Sequence, residues 1–211
     1  MTRGASVFTA EAEIAAATRA KLAGSGAFAV NLMGSPGAGK TSLILATVAA
    51  LGPDSVAVIE GDTASDYDAK LIAGSGAAVV QVNTHGGCHL TAGQVSRALD
   101  SLDLGERQVL FIENIGNLVC PVGFDLGENT KVAVLSVAEG DDKPYKYPAI
   151  FSACSALVVT KTDLLAHTDF DLGRLTKALA PIAASLKVIP LSTRTAEGME
   201  HWLSWLADGR S

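Results

Sequence analysis

The sequence predicts an α/β fold: a single domain on a mostly parallel central sheet of about seven strands, flanked by helices. Three observations predict it. Seven short runs rich in Val and Ile recur along the 211 residues without clean alternation, as expected of strands buried on both faces. Helical stretches separate several of them, and alternating strands and helices imply a parallel sheet. The composition, 48% hydrophobic and 18% charged, excludes a disordered or coiled-coil chain.

In chain order, residues 10–22 (AEAEIAAATRAKL) read as an Ala-rich amphipathic helix. Residues 27–33 (AFAVNLM) form a strand that ends in the glycine-rich GSPGAGKTS, which opens a helix over 42–51. Further strands are expected at 55–60, 77–82, 108–113, 131–137, 156–160 and 186–191, with helices over 89–103, 171–184 and 198–207. Trp202, Leu203 and Leu206 stand at helical spacing and belong to the core. No internal repeat, linker or low-complexity tract appears.

Sixteen basic against 22 acidic side chains leave a net charge of −6, which argues against general binding to nucleic acid or to an anionic membrane. Any anion must therefore be held by local geometry. Three cysteines, an odd number, make no disulfide framework and point to a reducing interior. The first residues lack the apolar core of a signal peptide, and no run of about 18 apolar residues occurs. The expectation is a soluble, cytoplasmic protein.

Gly34, Ser35, Pro36, Gly37, Ala38, Gly39, Lys40 and Thr41 match G-x-x-x-x-G-K-[ST] in full, after a strand and before a helix that continues through Ser42. Glycines let backbone N–H groups turn inward around phosphate oxygens at the helix N-terminus. Lys40 reaches the terminal phosphates and the Thr41 hydroxyl ligates Mg2+. The fold class is thus a P-loop NTPase, with a helical segment over 1–26 and the nucleotide-binding domain over 27–208.

Four later segments have the order and character of GTPase signatures. Glu60, Gly61 and Asp62 close the second strand, with Asp62 a direct or water-mediated Mg2+ ligand. Glu113 takes the Walker B position at the end of another strand, and Gly116 offers its N–H to the γ-phosphate. Thr160, Lys161, Thr162 and Asp163 resemble the guanine-reading N/T-K-x-D: the Asp163 carboxylate accepts from guanine N1–H and the 2-amino group, and the Lys161 stem covers the base. Ser192 and Thr193 close the last strand where a base-contacting loop belongs. The nucleotide is expected to be GTP.

Residues 27–206 resemble the HypB type of hydrogenase nickel-incorporation GTPase, of the signal-recognition-particle and nitrogenase-iron-protein (SIMIBI) class. The resemblance is carried by NLMGSPGAGKTSL, IEGD, QVNTHGGCHLTA, FIENIGNLVCPVGFDLGE and LSVAEGDDKPYKYPAIF. It implies a GTP hydrolase that forms a homodimer promoted by GTP and assists nickel delivery to the NiFe hydrogenase large subunit, with a nickel- and zinc-binding accessory protein. It also implies that Cys88, His89 and Cys120 bind Ni2+ or Zn2+ at the dimer interface. The residue types agree, since thiolate and imidazole are borderline-soft ligands. One chain falls short of a closed four-ligand site, and a two-fold dimer doubles the inventory.

Departures from the family pattern stand at three positions. His85 precedes the cysteine by three residues where the family has T-G-x-G-C-H, and reads as an extra ligand or a solvated loop histidine. Thr91 replaces a common Asp and Thr160 the usual Asn. The 211 residues hold no Cys-rich or His-rich N-terminal extension, so high-affinity nickel storage is not expected. Cys154, inside IFSACSALVV, reads as a small buried hydrophobe. The polar block 141–148 is either a solvated charge run or a loop whose Lys143 and Lys146 meet phosphate or the partner subunit.

Competing functions are a small-molecule kinase, a nucleotide-regulated nickel or zinc storage or sensor protein, and a GTPase metallochaperone for urease or a corrinoid enzyme. The arginines are scattered singly, which disfavours the kinase, whose lid needs them over the phosphates.

Overall fold

In the computed structural model, residues 3–210 are described. Seven strands, β1 (Phe28–Met33), β2 (Val56–Asp62), β3 (Ala78–Asn83), β4 (Val109–Glu113), β5 (Thr130–Ser136), β6 (Ala156–Thr160) and β7 (Lys187–Pro190), form one sheet in the order β3-β2-β4-β1-β5-β6-β7. Every pairing is parallel. All seven expected strands are present. Strand β1 lies between β4 and β5 in the middle of the sheet, so the loop leaving its carboxyl end opens into a crevice where chain direction diverges.

Helices α1 (Arg3–Ser25), α2 (Lys40–Leu51), α3 (Tyr67–Gly74), α4 (Ala92–Asp100), α5 (Lys143–Lys146), α6 (Pro148–Ala153), α7 (Leu172–Leu179) and α8 (Met199–Asp208) cover the sheet. One face packs on α2 and α8, where Leu43, Ile44, Trp202 and Leu206 meet Val30, Phe111 and Val158. Trp202 is fully buried and its indole N–H donates to Thr47 Oγ1 at 2.9 Å, so its polar atom costs nothing. On the other face Leu22 of α1 and Val95 and Leu99 of α4 pack against Ala57, Ile59 and Ile112. Among the described residues, no helix is long and apolar enough to cross a membrane.

Three helices went unread in the sequence. Eight-residue α3 is too short to establish a helical period, and α5 and α6 begin with prolines at 144 and 148 in their first turns. Proline there ends a periodic pattern while suiting the start of the next helix. The expected helix over 89–103 starts later, at Ala92, because Thr91 caps it. The Thr91 hydroxyl accepts the Gln94 N–H at 3.2 Å, and Gln94 Oε1 accepts the Thr91 N–H at 2.9 Å. The residue that departs from the family pattern thus has a structural task of its own.

Helix α1 is tied down over the domain. Arg19 pairs with Asp125 at 2.6 Å, and Lys21 with Asp100 at 2.6 Å. Both pairs are solvent-exposed and weak; close packing matters more. Gly127 has φ +88°, and a Cβ there would sit 2.7 Å from both the Ala15 carbonyl oxygen and Thr18 Cβ. Glycine is what lets α1 approach.

Candidate nucleotide and metal site

The loop 34–41 runs from β1 into α2 and forms the floor of a cleft of about 640 Å³. Its backbone is held from several sides. The Asn117 N–H donates to the Gly34 carbonyl at 2.9 Å, and the Ala38 N–H to the Ser35 carbonyl at 3.2 Å. Thr160 Oγ1 donates to the Ala38 carbonyl at 2.6 Å, and the Lys161 amine to the Gly37 carbonyl at 2.8 Å. Thr160 therefore secures the loop from the end of β6. Ser42 lines the cleft with Lys40 and Thr41.

Lys40 is buried, and its amine lies 3.4 Å and 3.3 Å from the carbonyls of Gly34 and Ser35. Burial lowers its pKa, while Glu113, Glu139, Asp68 and Glu60 act to raise it. Thr41 Oγ1 donates to Glu113 Oε1 at 2.8 Å, joining the first turn of α2 to the end of β4. Gly116 lies hard against the loop: a Cβ there would come within 2.8 Å of Pro36 N and Cγ. The sequence-predicted residues of the phosphate end thus converge.

Glu60 was not among them. Register pairs Glu60 of β2 with Glu113 of β4, so two carboxyl groups stand side by side at the carboxyl edge of the sheet. Both are buried, at 2% and 4% exposure, and Glu60 Oε2 and Glu113 Oε2 have no hydrogen-bond partner among the described residues. Burial, then repulsion from Glu113, Asp62 and Asp68, pushes the Glu60 carboxyl up to about 8, against the pull of Lys40. Burial likewise pushes Glu113 up to about 7, opposed by Lys40 and by the Thr41 hydrogen bond. Asp62 differs: although desolvation acts to raise it, the backbone N–H groups of Ala64, Ser65 and Thr63 hold it below the usual carboxylate range. Asp62 Oδ1 accepts from Ala64 and Ser65 at 2.8 Å each. A hydroxyl, an ionised carboxylate and two buried carboxyl oxygens make a hard oxygen set that suits Mg2+.

A stability prediction follows from Glu60. Its folded pKa lies above its unfolded value, so the folded protein loses stability through this group as pH rises from about 4.5 to about 8. In nucleotide-free protein with a chelator, Glu60→Gln is expected to raise Tm by on the order of 4 °C at pH 8.5 and to change it little at pH 5. A Tm difference independent of pH would show that the carboxyl is not held protonated.

Asp163, where the sequence places the base contact, follows β6, and its Oδ1 accepts from Ser192 Oγ at 2.7 Å. Ser192 is itself fixed, its Oγ accepting the N–H groups of Arg194 and Thr195 at 3.2 Å each. Thr193 is half-buried beside it. Lys161 adopts φ +60°, the turn that sends its side chain over the loop to Gly37.

The soft donors form a second group beside the phosphate end. Cys88 Sγ lies 3.5 Å from His89 Nδ1, and a hydrogen bond to Cys120 pushes the Cys88 thiol up. The His89 ring stacks on Phe124, with centroids 3.7 Å apart, and burial lowers its pKa and favours neutral imidazole. Among the described residues, no cluster of three or more His, Cys, Asp or Glu side chains is arranged to hold a metal within one chain. His85 points elsewhere: at φ +50° it lines a groove of about 410 Å³ with Arg97, between β3 and α4. Cys154 packs beside Phe151 and Leu157, and burial pushes its thiol up to about 12, so it stays neutral. In the 141–148 block, Lys146 pairs with Asp142 and the Lys143 amine lies 5.7 Å from the Tyr147 ring centroid.

Known proteins resemble this chain in sequence and in fold. Residues 28–190 match the family model described as CobW/HypB/UreG, nucleotide-binding domain. A hydrogenase maturation factor HypB from Azotobacter chroococcum mcd 1 is 49% identical over 193 residues, 91% of this chain, which spans 63% of that relative's length. The crystal structure of HypB from Helicobacter pylori in complex with nickel superposes with a TM-score of 0.91 at 29% identity, covering 95% of this chain and 94% of that one. The hydrogenase maturation factor HypB of Archaeoglobus fulgidus gives a TM-score of 0.88 at 33% identity, covering 96% and 100%. With its P-loop, its parallel sheet and this match over most of its length, the chain belongs to the CobW/HypB/UreG family of nucleotide-binding domains.

Proposed function

We propose that this chain is a GTP-hydrolysing metallochaperone that assists nickel insertion into a NiFe hydrogenase, with its nucleotide state coupled to dimerisation and metal binding. One observation carries the reading. The segment leaving β4 presses Gly116 against Pro36 of the phosphate loop and then brings Cys120 to Cys88. Nucleotide and soft-metal donors therefore share one segment, which a small-molecule kinase has no use for. The nickel bound by the Helicobacter pylori relative supports nickel as cargo.

In the reaction, the loop N–H groups hold the phosphate tail and Lys40 neutralises charge that develops on the γ-phosphoryl oxygens. Thr41, Asp62, Glu60 and Glu113 would hold Mg2+, which would supply charge stabilisation to the phosphate tail. Gly116 offers its N–H to the γ-phosphate, and Asp163 with Ser192 selects guanine. Hydrolysis frees Gly116 and loosens Cys120 from the metal. A homodimer completes the Ni2+ or Zn2+ site with Cys88, His89 and Cys120 from each subunit. The nickel is exchanged with a nickel- and zinc-binding accessory protein and passed to the hydrogenase large subunit in the cytoplasm, where thiols stay reduced.

Sedimentation of the full chain with GDP and with a non-hydrolysable GTP analogue, each with and without Ni2+ and Zn2+, tests this. The expected result is a dimer favoured by the analogue and by metal together, alongside slow release of phosphate from GTP. A monomer under every condition would sink the shared-site mechanism.

A further inference from the structure

Strand β1 reads FAVNLM, and its one polar side chain, Asn31, is fully buried in the middle of the sheet. An apolar residue would pack there at no polar cost, so a satisfied amide calls for a reason. Its partners supply one. Asn114, directly after Glu113 and 1% exposed, donates from Nδ2 to Asn31 Oδ1 at 3.2 Å. Asn31 Nδ2 donates to Glu128 Oε1 at 3.1 Å, and Glu128 Oε2 accepts the Leu126 N–H at 2.7 Å. At the other end Asn114 Oδ1 accepts the N–H groups of Ile115, at 3.0 Å, and of Leu90, at 3.1 Å.

Each terminus of this chain lies on a different loop. Leu90 follows His89 directly. Ile115 precedes Gly116, which touches Pro36. Leu126 lies two residues beyond Phe124, whose ring stacks on His89. Three buried side chains thus join the nucleotide switch to both loops that carry soft donors, and all of the bonds lie out of water, where geometry is most tightly enforced.

We propose that Asn114 is the positioning residue that couples the nucleotide switch to the metal-bearing loops, acting on Leu90 directly and on the 120–126 loop through Asn31 and Glu128. When the 113–116 segment moves, the acceptor for the Leu90 N–H moves with it, and His89 is displaced relative to Cys120. This rests on the metallochaperone reading above, which supplies the two states to be coupled.

The experiment uses the full chain and three variants: Asn114→Ala, Asn114→Asp and Asn31→Ala. Ni2+ affinity is measured with GDP and with a GTP analogue, and hydrogen exchange reports the Leu90 amide. Wild type is expected to show an affinity ratio of about 5-fold or more between the two nucleotide states. In Asn114→Ala the ratio falls to about one and Leu90 exchange accelerates at least about tenfold. Asn114→Asp keeps both acceptor roles and loses the donor to Asn31, so Leu90 stays protected while the ratio shrinks; Asn31→Ala does the same. If Asn114→Ala fails to fold, those two variants decide. A wild-type ratio of one overturns the coupled-chaperone reading and the relay with it. A wild-type ratio that survives in the variants overturns the relay alone.

Discussion

Asp163→Asn is expected to lower GTP affinity by roughly 10²–10³-fold and to convert the preference from guanine to xanthine nucleotides. Guanine presents two donors, N1–H and the 2-amino group, to a carboxylate that accepts both. Ser192 Oγ holds that carboxylate by donating to Oδ1 at 2.7 Å, so the acceptor is fixed before the base arrives. The amide of Asn replaces one acceptor by a donor, which faces the 2-amino group and leaves both buried without partners. Xanthine carries a carbonyl at that position and accepts from the new donor. Competition of GTP, XTP and ATP against a fluorescent nucleotide reads the change directly. Equal affinities of wild type for GTP and ATP would remove guanine from the mechanism, whatever the variant does.

How much of this was legible in the sequence depends on the range of the signal. The strands announced themselves because each is a run of Val, Ile, Leu and Ala between turn residues, and the phosphate loop because its chemistry is contiguous. Glu60 and Asn31 were missed because they join the site only through pairing. Glu60 and Glu113 share a site because β2 and β4 are adjacent in one particular register, although β3 and α4 intervene in sequence. Asn31 hides in an apolar run for the same reason, its partners lying 83 and 97 residues away. Thr91 carries a task that a comparison of family motifs does not show, the cap of α4, visible in Thr91 and Gln94 as the T-x-x-Q spacing. Local chemistry is readable from a string, whereas a site assembled across strands needs the sheet order.

The second large effect lies in the metal donors. Cys88→Ser and Cys120→Ser are each expected to weaken Ni2+ binding by about 10²-fold or more, and Cys154→Ser to leave it unchanged. Serine preserves size but replaces a polarisable thiolate with a hard, neutral hydroxyl, a poor ligand for a borderline-soft cation. Interaction with Cys120 raises the Cys88 thiol and keeps it protonated, and that proton must leave as metal binds, so binding should release protons and strengthen with pH. His89 is predisposed to the neutral, ligating form by its partly buried stack on Phe124. Cys154 has the opposite surroundings, a thiol pushed up to about 12 by burial and no soft donor beside it, which makes its variant the control. Because one chain arranges no closed cluster among the described residues, the expected stoichiometry is one Ni2+ per two chains. Isothermal titration of Ni2+ into wild type and the three variants, with the oligomer followed by light scattering, decides the matter. One tight ion per chain on a monomer would contradict the shared site, because the described residues of one chain gather no cluster of three donors to hold it.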